Sequence, residues 1–138
     1  MRALIFLFFI TTGTISAQQI DYNTKNGLAV AGYDVVAYFN NEAVEGNKKY
    51  TTEKDGVTYL FSSEKNQNIF IENPENYMPQ YGGYCAYAVA VKSKKVSIDP
   101  ETFEIRDGKL YLFYNAWGTN TLELWNAENP NDLKRKAD

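Results

Sequence analysis

The sequence predicts an α+β domain: a small antiparallel sheet built from two Asp-Gly hairpins, covered by several short helices. Two observations carry this expectation. "DGVTYLF" at 55–61 recurs as "DGKLYLF" at 107–113, and each copy is followed by a helical candidate and then by Glu-Asn-Pro, at 72–74 and 128–130. Asp-Gly supplies the positive φ that a type I′ turn demands, so a short strand before it and an apolar run after it form a hairpin. The pattern hairpin, helix, Asn-Pro, helix is used twice. Two copies are too few for a solenoid and suit one domain whose helices cover a sheet.

Each element follows from local pattern. The first hairpin pairs Lys49–Lys54 with Val57–Phe61, and Val57, Tyr59 and Phe61 alternate onto one face. Ser62-Ser63 can cap a helix over Glu64–Ile71 that offers Ile69 and Phe70 for burial. Gly82-Gly83 closes the segment after Pro79. Beyond it, Tyr84, Tyr87, Ala88 and Val91 fall at i, i+3, i+4 and i+7, the face of an amphipathic helix, while Cys85, Ala86 and Ala90 make the other side small; a helix apolar or small all round is expected to be a buried one. Lys92, Lys94 and Lys95 mark the exit to solvent and read as a solvated loop, not a binding patch. The second hairpin pairs Phe103–Arg106 with Lys109–Tyr114. Leu110, Leu112 and Tyr114 face one way, Tyr111 and Phe113 the other. Residues Thr119 to Trp125 present Leu122 and Trp125 at helical spacing. In each Asn-Pro pair, Asn caps and Pro takes the first position of a further short helix.

Arg2, the apolar run Ala3–Ile10 and the ending Ile15-Ser16-Ala17 read as a signal peptide over residues 1–17, leaving a single domain at 18–138. The run is about half the roughly 20 residues a membrane helix needs, so no membrane span is expected after signal removal. Location is therefore expected to be periplasmic or secreted. The formal net charge is −3 with no basic cluster, which argues against nucleic acid and anionic membrane surfaces as partners. A single cysteine in an exported chain allows no internal disulfide, so stability must come from packing.

The candidate ligand-binding residues are Cys85, Tyr33, Asp34, Tyr81, Gly82, Gly83, Tyr84 and Tyr87. Three readings of Cys85 stay open: a small apolar core residue, a thiol activated at a helix start, or a ligand position for a metal or a small molecule held by tyrosines. The tyrosines can line a pocket with apolar walls and hydroxyl tips, or fill a partly wet core. Asp34 can cap a helical turn or anchor a ligand. Histidine is absent, so no general base stands beside the thiol, and no hydrolase triad, phosphate loop or nucleotide fingerprint is present. The carboxylate pairs Glu72/Glu75 and Asp99/Glu101 flank proline turns and read as helix-start charges. The residues lean away from an enzyme, with no catalytic residue nominated.

Five stretches carry a resemblance: "GYDVVAYF" (32–39), "YLFSSEKNQNIFIENPENY" (59–77), "YGGYCAYAVA" (81–90), "DGKLYLFYN" (107–115) and "LKRKAD" (133–138). Together they resemble the exported bacterial proteins of the YHS family, so 18–138 is expected to be a YHS-like domain. The resemblance implies binding of copper and other heavy metals. The stretch similar to the family's Tyr-aromatic-Phe-Cys-Ser-x-x-Cys is Tyr59 to Asn66, and both cysteine positions are replaced, at Ser62 and Asn66. The family's Asp-Pro-Val-Cys resembles Asp34 to Ala37, with Val35 for proline and Ala37 for cysteine. The naming Tyr-His-Ser falls at Tyr50, Thr51 and Thr52. Relatives also tend to run on past the Lys-Ala-Asp that ends this chain, so its C-terminal helix is expected to dock less firmly.

Copper and zinc want several thiolate or imidazole donors, which one cysteine without histidine does not supply. The expected function is therefore an exported, non-catalytic YHS-like binding module of the cell envelope, for a small molecule or an envelope protein, with a link to metal handling left open. The alternatives are an envelope redox or thiol-active protein using Cys85, and a copper or zinc protein. No cofactor is expected; a metal ion, if bound, would need Cys85.

Overall fold

The computed structural model describes residues 21–138; the signal peptide read at 1–17 lies outside the described residues. The class is α+β. Thr24–Lys25 (β1) and Leu28–Ala29 (β2) form a minimal hairpin. Asn47–Lys54 (β3) and Val57–Phe61 (β4) form a larger one joined by Asp55-Gly56, whose φ values of 53° and 78° place both turn residues in the left-handed region. β2 lies parallel to β4, giving the order β1-β2-β4-β3. Helix α1, Glu64–Glu72, follows. Its N-cap is Ser63, whose side chain accepts from the Asn66 amide N–H at 3.1 Å, worth about 1 kcal/mol.

Helix α2 covers Ala86–Lys92. Asp99–Arg106 (β5) and Lys109–Phe113 (β6) make the second large hairpin, turning at Asp107 and Gly108 with φ of 52° and 72°. Asn115–Ala116 (β7) and Thr119–Asn120 (β8) make a short third one. Helix α3 covers Thr121–Ala127, capped by Asn120, and α4 covers Pro130–Ala137, capped by Asn129. Among the described residues no helix is long and apolar enough to cross a membrane.

The two Asp-Gly hairpins do not share one sheet. The first joins the four-stranded sheet, and the second stands as its own two-stranded sheet. The physical reason is the burial of β6 on both faces. Leu110 and Leu112 enter a core with Val35, Tyr38, Tyr59, Phe61 and Phe70, while Tyr111 and Phe113 enter a second core with Ala86, Ala90, Trp125 and Leu133. A strand buried on both sides serves as the wall between two cores. At roughly 1.5–3 kcal/mol for each buried large apolar side chain, its four apolar residues are a main source of stability.

Two local expectations need correction. Helix α2 is buried at Ala86, Ala88 and Ala90, as expected, but not all round: Val91 is 45% exposed, and Tyr84 lies outside the helix. The small side chains of Ala86 and Ala90 let β6 and Leu133 of α4 pack closely on the helix, whereas Val91 finds no such partner. Asn73 makes no side-chain cap, and the segment after it is only a 3-10 turn at Pro74–Asn76. Helix α4 packs on the second core through buried Leu133; Lys134 pairs with Asp107 at 2.9 Å, and the Tyr81 hydroxyl donates to Asp138 at 3.1 Å.

Candidate functional site

Asp34 is fully buried and its carboxylate is saturated. One oxygen accepts from the backbone N–H groups of Val36 and Ala37, at 2.9 and 3.3 Å, starting the 3-10 turn Ala37–Asn40. The other accepts from the Ser62 N–H at 2.8 Å, the Ser62 hydroxyl at 2.7 Å and the Asn66 side-chain amide at 2.8 Å. Asp34 is thus both cap and anchor, tying residues 34–37 to the junction of β4 and α1. The same junction holds the positions where the family resemblance puts cysteines: Ser62 and Asn66 meet directly on Asp34, and Ala37 lies at the far end of its cap.

These residues do not suit a soft metal. Asp34 has no free lone pair after accepting five hydrogen bonds, and Ser62 and Asn66 turn their hydrogens toward it. What remains is a neutral hydroxyl and an amide oxygen, poor donors for copper or zinc. Among the described residues no group of three or more His, Cys, Asp or Glu side chains is placed to hold a metal ion.

Cys85 sits at the N-cap of α2, fully buried. Its backbone N–H donates to the Val96 carbonyl at 3.0 Å. Its sulfur lies 3.3 Å from the Thr121 hydroxyl, which donates its one proton to the Tyr114 carbonyl at 2.7 Å. The thiol is therefore the donor in that contact. An apolar cavity of about 210 Å³ adjoins it, lined among others by Tyr87, Ala88, Val96, Tyr114 and Leu124. Neither Tyr33, Tyr81 nor Tyr84 lines that space.

Tyr81, Gly82 and Tyr84 belong to a different and larger cleft of about 470 Å³, completed by Asp21, Val89, Ser93, Lys94, Lys95, Lys136 and Ala137. The turn that builds it runs through three successive left-handed residues, Tyr81, Gly82 and Gly83, with φ of 56°, 64° and 84°. A Cβ on Gly82 would meet the Asp21 carbonyl oxygen at 2.7 Å, so the turn needs glycine for both backbone shape and room. Asn23 fastens the turn, its N–H donating to the Gly82 carbonyl at 2.9 Å and its amide to the Gly83 carbonyl at 3.0 Å.

Charge organises the rim. Lys95 donates to Asp21 at 2.7 Å, and the Tyr84 hydroxyl donates to the same carboxylate at 3.2 Å. The hydrogen bond from Lys95 holds the Asp21 carboxyl below its usual range, and that same bond raises Lys95. Burial, then the nearby Asp138 carboxylate, pushes the Tyr81 hydroxyl up. The Lys95 ammonium also stands 5.7 Å from the centre of the Tyr84 ring.

The expected site residues thus separate into three places. Tyr81, Gly82 and Tyr84 line the cleft, with Gly83 buried behind it; Cys85 and Tyr87 line the smaller cavity; Asp34 forms the buried lock. Tyr33 joins none of them: it bridges to Glu45 and packs half-buried on the first core. Tyr87 donates to Glu128 at 2.7 Å. Asp21, Lys94, Lys95 and Lys136 were not expected in a site. The signal available for Lys94 and Lys95 was their cluster just past α2; for Asp21 there was none.

Comparison with known proteins follows this division. No curated protein and no solved structure matches the chain. The family model for the YHS domain matches residues 35–81, from the turn capped by Asp34, through β3, β4 and α1, to the first tyrosine of the cleft. That match covers about a third of the chain, and apart from Tyr81 every residue lining the cleft stands outside it.

Proposed function

We propose that the protein is an exported, non-catalytic binding module of the cell envelope, and that it takes a small ligand in the Tyr81–Gly82–Tyr84 cleft. The observation that carries this reading is the cleft. Its volume, about 470 Å³, lies in the range of small-molecule sites, and it combines aromatic walls with charged groups on its rim. The leader-like N-terminus supports export. Hydrogen-bonded Asp34, Ser62 and Asn66 support a YHS frame whose metal positions have become a structural lock. The thiol-active reading draws no support from Cys85, whose sulfur is enclosed and engaged with Thr121.

A fragment titration followed by amide NMR tests the proposal. Binders should shift the signals of Gly82, Tyr84, Ser93, Lys94 and Lys95 as one group. Shifts confined to other faces, or no saturable binder in a broad collection, would refute it.

A further inference from the structure

Resting on the cleft as the binding site, we infer that its ligand is an organic anion with a flat apolar body. The lining sets three lysines, Lys94, Lys95 and Lys136, against one aspartate, Asp21, in a chain whose formal net charge is −3. The local sign is therefore opposite to that of the molecule. Lys95 is occupied by Asp21 at 2.7 Å, whereas among the described residues neither Lys94 nor Lys136 takes part in an ion pair or a side-chain hydrogen bond. Two ammonium groups thus stand ready at one cleft from two separate elements, the loop after α2 and the end of α4.

The rest of the lining selects the body of the ligand. Tyr81 and Tyr84 bring aromatic surface from either side of the glycine turn, and Val89 and Ala137 add aliphatic surface. Both tyrosine hydroxyls are already donors, to Asp138 and Asp21, so neither tip is free to donate to a ligand without losing that bond. The Asp138 carboxylate, which accepts from the Tyr81 hydroxyl at 3.1 Å, is a negative charge just outside the lining. It discourages a second anionic group at that end, which favours a ligand with its charge at one end and its flat body along the tyrosines. The chemistry fits an aryl carboxylate, sulfonate or phosphate ester better than a bare inorganic anion, which would leave the aromatic walls uncovered.

Two dyes that share one ring system separate charge from shape. 8-Anilinonaphthalene-1-sulfonate carries the anion; N-phenyl-1-naphthylamine is its neutral counterpart. The sulfonate dye should bind the protein about tenfold more tightly, with affinity falling as salt rises. Lys94→Met/Lys136→Met should remove most of that difference, about five- to tenfold, and leave the neutral dye unchanged. A charge-matched control on other faces, Lys48→Met/Lys65→Met, should leave both dyes unchanged. Equal affinity for the two dyes, or an equal loss in the control, would overturn the anion inference. Ala137→Trp, with the fold checked by its melting temperature, should fill the cleft and weaken both dyes. If the dyes are equivalent yet both respond to Ala137→Trp, only the anion inference fails; if neither responds, the cleft reading fails with it. Inorganic phosphate should displace the sulfonate dye only weakly; full displacement at equal concentration would point to a bare anion site and overturn the claim of a flat body.

Discussion

Asp34 shows how far one side chain can be read before the fold is known. Its cap to Val36 and Ala37 is local and was legible as such. Its three bonds to Ser62 and Asn66 span 28 and 32 positions, which no local pattern reports. The family resemblance placed lost cysteines at Ser62 and Asn66, but not their reuse as donors to one carboxylate. Asp34→Asn turns a hydrogen-bearing amide toward donors that need acceptors, so it should cost about 3 kcal/mol in urea unfolding, with Ser62→Ala and Asn66→Ala nearer 1 kcal/mol each. A loss below about 1 kcal/mol for Asp34→Asn would show that the lock is dispensable. Cys85 is the opposite case: three readings were open from sequence, because its neighbours Thr121 and Val96 arrive from other elements. Since it is fully buried, a thiol-directed reagent should modify it only at the rate of global unfolding. Fast labelling of the folded protein would return it to the candidate thiols.

At the scale of elements, the hairpins were legible because Asp-Gly turns and alternating side chains are local features. The sheet assignment was not, because it depends on which faces find partners. The alternation of β6 showed two apolar faces, and only the assembled fold shows that they belong to two cores. Helix α2 departs from its expected burial for a related reason. Its composition is apolar or small all round, but only the assembled fold shows that β6 and α4 cover Ala86 and Ala90 and leave Val91 exposed. Leu112→Ala and Phe113→Ala test the shared wall from opposite sides. Each should lower stability by about 3–4 kcal/mol, and each should leave a single unfolding transition. Two separated transitions in either variant would mean that β6 does not couple the cores.

The whole molecule is held by aromatic packing, with no disulfide available to its one cysteine. Burial pushes the hydroxyls of Tyr38, Tyr59, Tyr81 and Tyr111 above the ordinary tyrosine value of 10.0. For a group raised in this way, stability is fully present below that pH and lost as pH rises through it, because the unfolded chain ionises first. The protein should therefore unfold cooperatively at high pH, with these tyrosines ionising together with loss of structure by absorbance at 295 nm. Independent ionisation near pH 10 in a folded protein would contradict the burial assigned to them.

The YHS match at 35–81 ends at the first tyrosine of the cleft, and the proposed function makes one claim central: binding lies away from the positions a soft metal would use. Calorimetric titration of Cu(I) and Zn(II) into the reduced wild-type protein tests it most directly. The account predicts no stoichiometric binding tighter than about micromolar for either ion, and no change on Asp34→Asn or Cys85→Ser. One tightly held ion per chain, lost in either variant, would contradict it.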